Sequence, residues 1–402
     1  MKESGFTAYA KTTLMSVIVG VLAGIAATVF LYSLDLATRV RLAHPDLIYF
    51  LPLGGLALGW LYSTYGKDVA AGNNLILQEI HDPKKVLPLR MAPLVLAGTL
   101  VTHLFGGSAG REGTAVQMGA TLADQLAAPF KASAAQRKIL LVAGAGAGFG
   151  AAVGAPWAGM IFGMEVIRVG RLQLIAPFEC FVASFVAYLT TRIFEAPHSL
   201  FGHVTVQAFS LPLCASVLAA GILFGLCARG FSALTHGVEA LQRKYISYPP
   251  LKPFIGGSIL VALFWLEGSF RFTGLGIDSI QRSFSETMSF ADPIKKALFT
   301  AITLGTGFKG GEFVPLVFVG STLGSALTQF LPMATGLAAA LGFAAVFAGA
   351  SNTPLACSIM AAELFGISIA PYALVACFAS FYVSGRSGIY RAQKNRDRKR
   401  LP

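Results

Sequence analysis

The sequence has 402 residues, of which 55% are apolar and 12% charged, with a net charge of +12. Soluble domains carry about 25% charged residues, so a soluble fold of this length would leave much apolar surface in water. Repeated apolar runs of about 20 residues, long enough to cross a bilayer, predict a multi-pass membrane protein. The positive charges lie at the ends of these runs, which excludes nucleic-acid binding as their explanation.

In chain order, long apolar segments alternate with shorter ones interrupted by glycine and proline. The 44 glycines suit membrane helices that pack closely. We expect one transmembrane domain over 1–402, a basic tail at 391–402 that the positive-inside rule places in the cytoplasm, and no soluble regulatory domain. The clearest predicted helices are Leu14 to Leu34, Leu172 to Phe194, Leu211 to Ala233, Phe254 to Leu266 and Ala370 to Val383.

Two apolar segments that begin with proline resemble each other. Each ends on a glutamate nine positions later, and the pairs are Pro156 with Glu165 and Pro354 with Glu363. Proline is favoured at the first position of a helix, so both prolines are predicted to start helices. The two glutamates are interpreted as structural, and the alternative is that they face a cytoplasmic vestibule or a subunit contact.

A second pair of glutamates gives the same spacing between the halves of the chain. Glu112 lies 44 residues before the first of these prolines, and Glu312 lies 42 residues before the second. The offset of about 200 residues predicts two homologous repeats, 11–198 and 208–390. Transporters built from inverted repeats hold their substrate between broken helices. The alternative is coincidence in a Gly- and Ala-rich sequence.

Four segments join glycines to the start of an apolar stretch and contain the candidate site residues. Free N–H groups give a helix start a partial positive charge, and glycine lets a ligand approach the backbone. Several converging starts would bind an anion without trapping it. The candidate anion-binding residues are Asn73, Gly110, Arg111, Gly113, Gly311, Phe313, Val314 and Tyr390.

Two carboxylates in these segments are candidates for proton chemistry. Glu112 is itself an anion at a predicted anion site, and it would leave the site when protonated, which exchanges one anion for one proton. Glu312 is placed equivalently in the second repeat and is predicted to take part in proton coupling. For both, the alternative is a helix cap.

The sequence supports two interpretations for each of three further side chains. Arg111 and Lys309 either attract anions at the mouth of the pathway or extend to the membrane interface. Tyr390 either donates its hydroxyl to an anion or lies at the interface. The sequence contains no metal-ligand cluster, nucleotide-binding motif or catalytic triad, so we expect no metal, no cofactor and no enzymatic activity.

The segments Gly110-Arg111-Glu112-Gly113 and Gly311-Glu312-Phe313-Val314-Pro315 resemble signature segments of the CLC family of chloride channels and anion/proton antiporters. Tyr390 lies near the position of that family's anion-coordinating tyrosine. The resemblance implies an all-α integral membrane fold with two inverted-topology repeats of tilted and broken transmembrane helices. It also implies a homodimer with one pathway per subunit and Glu112 as the gating glutamate.

Four departures from chloride-handling members resemble the fluoride-exporting branch of the family. Asn73 replaces an anion-coordinating Ser, Thr114 replaces a Pro, Glu312 replaces an apolar residue, and Val166 replaces an internal proton-handling Glu. Fluoride is small and strongly hydrated, and the two N–H donors of an Asn side chain would replace part of its water. The alternative for Asn73 is a turn residue.

The function that this resemblance implies is fluoride/proton antiport, with fluoride and protons as substrates, across the bacterial cytoplasmic membrane. The alternatives are a chloride or nitrate/proton antiporter and a passive anion channel of the same family. Glu112 does not distinguish them, because channels and antiporters both carry it.

Overall fold

The computed structural model describes residues 5–394, and in this part of the chain the regular secondary structure is helical, apart from two isolated backbone bridges. The short segments Pro45–Phe50 and Ile367–Ile369 are 3-10 helices. The α-helices are α1 (Gly5–Ala43), α2 (Leu51–Tyr65), α3 (Asn73–His81), α4 (Met91–Leu104), α5 (Glu112–Gln125), α6 (Ala134–Val153), α7 (Pro156–Glu165), α8 (Pro177–Ile193), α9 (Leu211–Tyr245), α10 (Leu251–Glu267), α11 (Ile277–Arg282), α12 (Ala291–Gly305), α13 (Phe313–Leu327), α14 (Thr335–Ser351), α15 (Pro354–Phe365) and α16 (Ala370–Ser384).

The helices form two sets with the same order, α1–α8 and α9–α16, joined by the irregular linker 194–210. Each set opens with a very long helix, of 39 residues in α1 and 35 in α9. Within the sets α5 packs on α6 and α13 on α14, while α2 packs on α10 and α7 on α15 across the sets. Contacts between equivalent helices are what a two-fold relation between inverted repeats produces.

Glycines bring the helix pairs into backbone contact at matching places in the two repeats. A Cβ added to Gly119 of α5 would lie 2.4 Å from the carbonyl oxygen of Gly144 in α6. The equivalent distance from Gly320 of α13 to the carbonyl oxygen of Gly342 in α14 is 2.0 Å. Any side chain would force these helices apart, so the predicted packing through small residues is confirmed.

Both repeats contain the predicted broken helices. The chain takes a left-handed turn at Gly154 (φ 83°) between α6 and α7 and at Asn352 (φ 59°) between α14 and α15. Pro156 and Pro354 then occupy the first turns of α7 and α15, which confirms them as helix starts. With 10 residues, α7 extends about 15 Å, half of the hydrocarbon core.

Four of the long apolar runs predicted as helices lie within α1, α9, α10 and α16, whereas the run from Leu172 was predicted to start five residues too early, because α8 begins at Pro177. Among the described residues, four helical segments are long and apolar enough to cross a membrane, within α1, from 45 to 65, within α9 and from 367 to 384. Most of the predicted basic tail, residues 395–402, lies outside the described residues.

Candidate functional site between two cavities

Three helix starts meet where the two repeats touch. The N–H groups of Gly110 and Gly311 donate to each other's carbonyl oxygens, at 2.6 and 2.8 Å, and this pair of bonds joins the starts of α5 and α13. A Cβ added to Gly113 would lie 3.1 Å from the Gly311 Cα and 3.3 Å from Nδ2 of Asn73, the first residue of α3. Three of the four predicted segments therefore converge as helix starts, whereas the fourth, Gly385 to Tyr390, follows the end of α16 and starts no helix.

The Gly110–Gly311 pair also corrects the predicted alignment of the repeats by one residue. Glu112 is the first residue of α5, whereas Glu312 precedes α13, which begins at Phe313. The equivalent of Glu312 is thus Arg111, and the expectation that the two glutamates occupy the same place is wrong. The two carboxylates therefore differ by one position relative to their helices, since Glu112 is the first residue of α5 and Glu312 is the residue before α13.

The start of α3 depends on a glycine. Gly72 has φ 56° and ψ −127°, a conformation that disfavours any residue with a side chain. The following amides differ in their contacts. Oδ1 of Asn74 accepts the N–H of Ala392 at 2.9 Å, whereas Oδ1 of Asn73 is buried without a hydrogen-bond partner in the described part of the chain. The side-chain amide with an unbonded oxygen is therefore that of Asn73, which lies beside Gly113.

The Glu112 side chain is buried, with 2% of the residue exposed. Its carboxylate accepts the backbone N–H of Arg111 at 3.2 Å and Nε of the same residue at 3.3 Å. Nη2 of Arg111 donates to the hydroxyl of Ser199 at 3.2 Å. Because Arg111 is 8% exposed and held on both sides, the alternative of an arginine extending to the membrane interface is wrong.

The candidate residues are divided between two cavities. The linker-side cavity, of about 20 Å³, is bordered by the linker and by Arg111, Glu112, Phe313 and Val314. The tail-side cavity, of about 150 Å³, lies toward the C-terminal segment. It is lined by Asn73, Gln117, Lys309, Glu312 and Tyr390, among others.

The tail-side cavity shares Glu312, Lys309 and Asn74 with a wider vestibule of about 440 Å³. The charged side chains of the vestibule wall are mostly basic, and its two carboxylates are those of Glu239 and Glu312. The basic residues are Arg243, Lys252, Lys309 and Arg391. Such a wall raises the local concentration of anions.

Glu312 and Lys309 face the tail-side cavity without pairing with each other. The Glu312 carboxylate is hydrogen-bonded to its own backbone N–H, and no other residue within 5–394 forms a hydrogen bond or an ion pair with it. The Lys309 ammonium lies 4.1 Å from the centre of the Tyr62 ring, a cation–π contact. Neither interpretation of Lys309 from sequence anticipated this aromatic partner.

Tyr390 is 8% exposed, and its hydroxyl makes no hydrogen bond to the described residues. Buried Gln393 fixes the segment that follows, because its Nε2 donates to the carbonyl oxygens of Val166 and Ser351 at 2.9 and 2.8 Å. Val166 itself is buried and carries no ionisable group. The tyrosine is therefore held in the cavity wall and is not an interfacial residue.

Sequence reasoning assigned no role to Gln117. Its Nε2 donates to the carbonyl oxygen of Gly113 at 3.2 Å. A Cβ added to Gly72 would lie 3.2 Å from Oε1 and 3.3 Å from Nε2 of the same side chain. The available signal was its spacing of four residues from Gly113, which places both on one helix face. Among the described residues no group of His, Cys, Asp and Glu is arranged to hold a metal ion.

Comparison with known proteins assigns the family. The model of the voltage-gated chloride channel family matches residues 54–385. The chain belongs to the CLC family. It is therefore a membrane anion transport protein and not an enzyme.

Several CLC proteins resemble it over nearly their whole length. A chloride/fluoride channel protein of Pseudomonas syringae pv. tomato is 48% identical over 391 residues, which cover 96% of this chain and 86% of that protein. A solved CLC-type fluoride/proton antiporter superposes with a TM-score of 0.92 at 32% identity, covering 98% of this chain and all of that one. A slow cyanobacterial Cl⁻/H⁺ antiporter, at 21% identity and a TM-score of 0.81, shares the fold.

Proposed function

We propose that this CLC protein is a fluoride/proton antiporter that exports fluoride. The observation that carries the proposal is the position of Glu112, a buried carboxylate at the start of α5, beside the Gly110–Gly311 bridge and in the wall of the linker-side cavity. The solved fluoride/proton antiporter and the chloride/fluoride channel protein that resemble this chain support it.

Exchange follows from competition for one group of N–H donors. The first-turn N–H groups of α5 and α13 bind either an anion or the ionised Glu112 side chain, since both are negative. Protonation removes the charge of Glu112 and its ion pair with Arg111. The site then accepts an anion, and the proton moves with the side chain.

Preference for fluoride is assigned to the tail-side cavity. The Nδ2 group of Asn73, which lies beside Gly113, and the hydroxyl of Tyr390 donate to no acceptor within residues 5–394, and both residues line this cavity. Donors held close together replace the hydration of a small ion better than that of a larger one, because hydrogen bonds to ions are short and strong. Gly113 and Gly311 let the starts of α5 and α13 lie in backbone contact, since a Cβ added to Gly311 would lie 2.7 Å from the backbone nitrogen of Gly113.

Glu312 is proposed to pass protons between Glu112 and the vestibule. It borders both the tail-side cavity and the vestibule, and no cationic side chain within residues 5–394 forms an ion pair with it. Val166 supplies no ionisable group on that side. Glu312 is therefore the carboxylate placed to take over proton transfer.

Orientation, membrane and assembly are part of the same proposal. The basic residues after Tyr390 support a cytoplasmic vestibule and an external linker, by the positive-inside rule. We assign the chain to the bacterial inner membrane as a homodimer. Exposed apolar residues of α7, α8 and α16, such as Trp157, Ile193 and Tyr382, support a contact with lipid or a second subunit.

Efflux from proteoliposomes tests the proposal. Vesicles loaded with fluoride and chloride are held at zero membrane potential with potassium and valinomycin, and both anions and the pH are recorded. We expect fluoride to leave first and protons to enter against a pH gradient. Chloride release at the same rate would favour a chloride antiporter. Fluoride release without proton entry would favour a passive channel, the activity named for the Pseudomonas relative.

A further inference from the structure

The linker 194–210 has no helix of its own but is fixed to the second repeat. The N–H of Val204 donates to the carbonyl oxygen of Phe365 at 3.0 Å, and Gln281 donates to that of Leu200 at 3.3 Å. A segment that only connected the repeats would not need these bonds. Ser199 and Phe201 of the linker line the linker-side cavity together with Glu112.

Phe201 of this linker borders two separate cavities. One is the linker-side cavity of about 20 Å³ that contains Glu112. The other is an outer cavity of about 340 Å³, bordered also by His203, Phe284 and Gly336. Phe201 is the residue that lines both of these cavities, so its ring lies in the wall between them.

Other aromatic rings hold the Phe201 ring in this wall. Its centroid lies 5.1 Å from that of Phe343, at an interplanar angle of 76°, and 6.1 and 6.3 Å from those of Phe365 and Phe284. These are favourable edge and tilted contacts. An apolar constriction of this kind blocks a hydrated ion until the ring moves.

Arg111 connects this wall to the exchanging carboxylate. Its guanidinium donates to Glu112 through Nε and to Ser199 through Nη2. Ser199 lies two residues before Phe201 on the linker. The charge of Glu112 therefore affects the position of the linker through the Arg111 side chain.

We propose that Phe201 is a second gate of the anion pathway, on the linker side of Glu112, and that the Arg111–Ser199 hydrogen bond couples it to Glu112. The inference rests on the proposed antiport. Ionised Glu112 holds Arg111, which holds the linker with Phe201 in its aromatic contacts. Protonated Glu112 releases the ion pair, and the ring moves aside. Anions then cross the wall when a proton is on Glu112, which limits uncoupled leak.

The test is Phe201→Ala in the full chain in proteoliposomes, with fluoride efflux and proton uptake recorded together. We expect efflux to rise severalfold while the number of protons taken up per fluoride falls at least threefold. Phe270→Ala is the matched control, since this ring contacts Phe264 and not Phe201 and borders neither cavity. It should keep the wild-type ratio.

Ser199→Ala tests the coupling without opening the wall and decides the question if Phe201→Ala does not fold. We expect a lower proton-to-fluoride ratio in Ser199→Ala and recovery in Ser199→Thr, which restores a hydroxyl. Wild-type ratios of protons to fluoride in Phe201→Ala and in Ser199→Ala would overturn the gate and leave the antiport intact. A wild-type protein without fluoride-driven proton uptake would overturn both.

Discussion

Glu165 and Glu363 cap each other's helices across the two repeats. Glu165 ends α7, and its carboxylate accepts two first-turn N–H groups of α15, while Glu363 of α15 does the same for α7. The distances are 3.0 and 2.8 Å from Leu355 and Ala356 to Glu165, and 2.9 and 2.8 Å from Trp157 and Ala158 to Glu363. The structural interpretation of both residues is thus confirmed.

Removing these caps should lower stability without changing coupling. Glu165→Ala leaves two N–H groups without their charged acceptor, which costs about 1–3 kcal/mol for a buried group. Glu165 is 5% exposed and Glu363 is half-buried, so we expect the larger loss at Glu165. Thermal unfolding in detergent at a fixed scan rate measures the order of the midpoints.

The control for this comparison is Glu286→Ala, which removes a solvent-exposed ion pair with Arg282 and should change the midpoint little. Equal midpoints for Glu165→Ala and wild type would show that water replaces the carboxylate. A changed ratio of protons to fluoride in Glu165→Ala would instead give this residue a role in transport.

The sequence predicted the helix starts well, because glycine, proline and apolar runs mark them locally. The two prolines and the convergence at Gly110 and Gly311 follow from such marks. The alignment of Glu112 with Glu312 failed by one residue, since the spacing of two glutamates is a weaker constraint than the backbone pair that sets where each helix begins.

Contacts between distant segments escaped prediction. The hydrogen bond from Arg111 to Ser199, the ring of Tyr62 below Lys309 and the amide of Gln117 at Gly72 depend on how helices far apart in sequence pack. No local pattern encodes them. The irregular linker gave no sequence signal, and its place beside Glu112 became visible only in the structure.

Asn73→Ser should shift selectivity toward chloride. The substitution removes an amide beside Gly113 and leaves a single hydroxyl. A hydrogen bond to an ion contributes about 1.5–3 kcal/mol, so the fluoride-to-chloride ratio should fall about tenfold or more. Efflux of both anions from one vesicle preparation gives the ratio.

Asn74→Ser is the comparison for this variant, because its Oδ1 is already taken by the N–H of Ala392. We expect it to shift the ratio less than Asn73→Ser. An unchanged ratio in folded Asn73→Ser protein would assign selectivity to the backbone N–H groups of the helix starts.

Glu312→Gln should reduce proton movement more than fluoride movement. The amide keeps the size of the side chain but does not ionise, so the proposed transfer to the vestibule is lost. Glu239→Gln is the control on the same vestibule wall, since Glu239 is held by ion pairs with Arg243 and Arg391. Fluoride and proton fluxes in Glu312→Gln that both match wild type would remove Glu312 from the proton route.

Glu112→Gln should abolish proton uptake driven by a fluoride gradient, reducing it by about 100-fold or more, as expected when a positioned proton-transfer group is lost. The side chain keeps its volume but no longer alternates between charged and neutral forms. Glu112→Ala also empties the space, so passive fluoride leak should be larger in Ala than in Gln. Glu165→Gln makes the same chemical change at a structural carboxylate and should retain coupling. Because one group of N–H donors serves the anion and the carboxylate in turn, proton uptake that persists in both Glu112 variants would exclude Glu112 as the exchanging group and the competition mechanism with it.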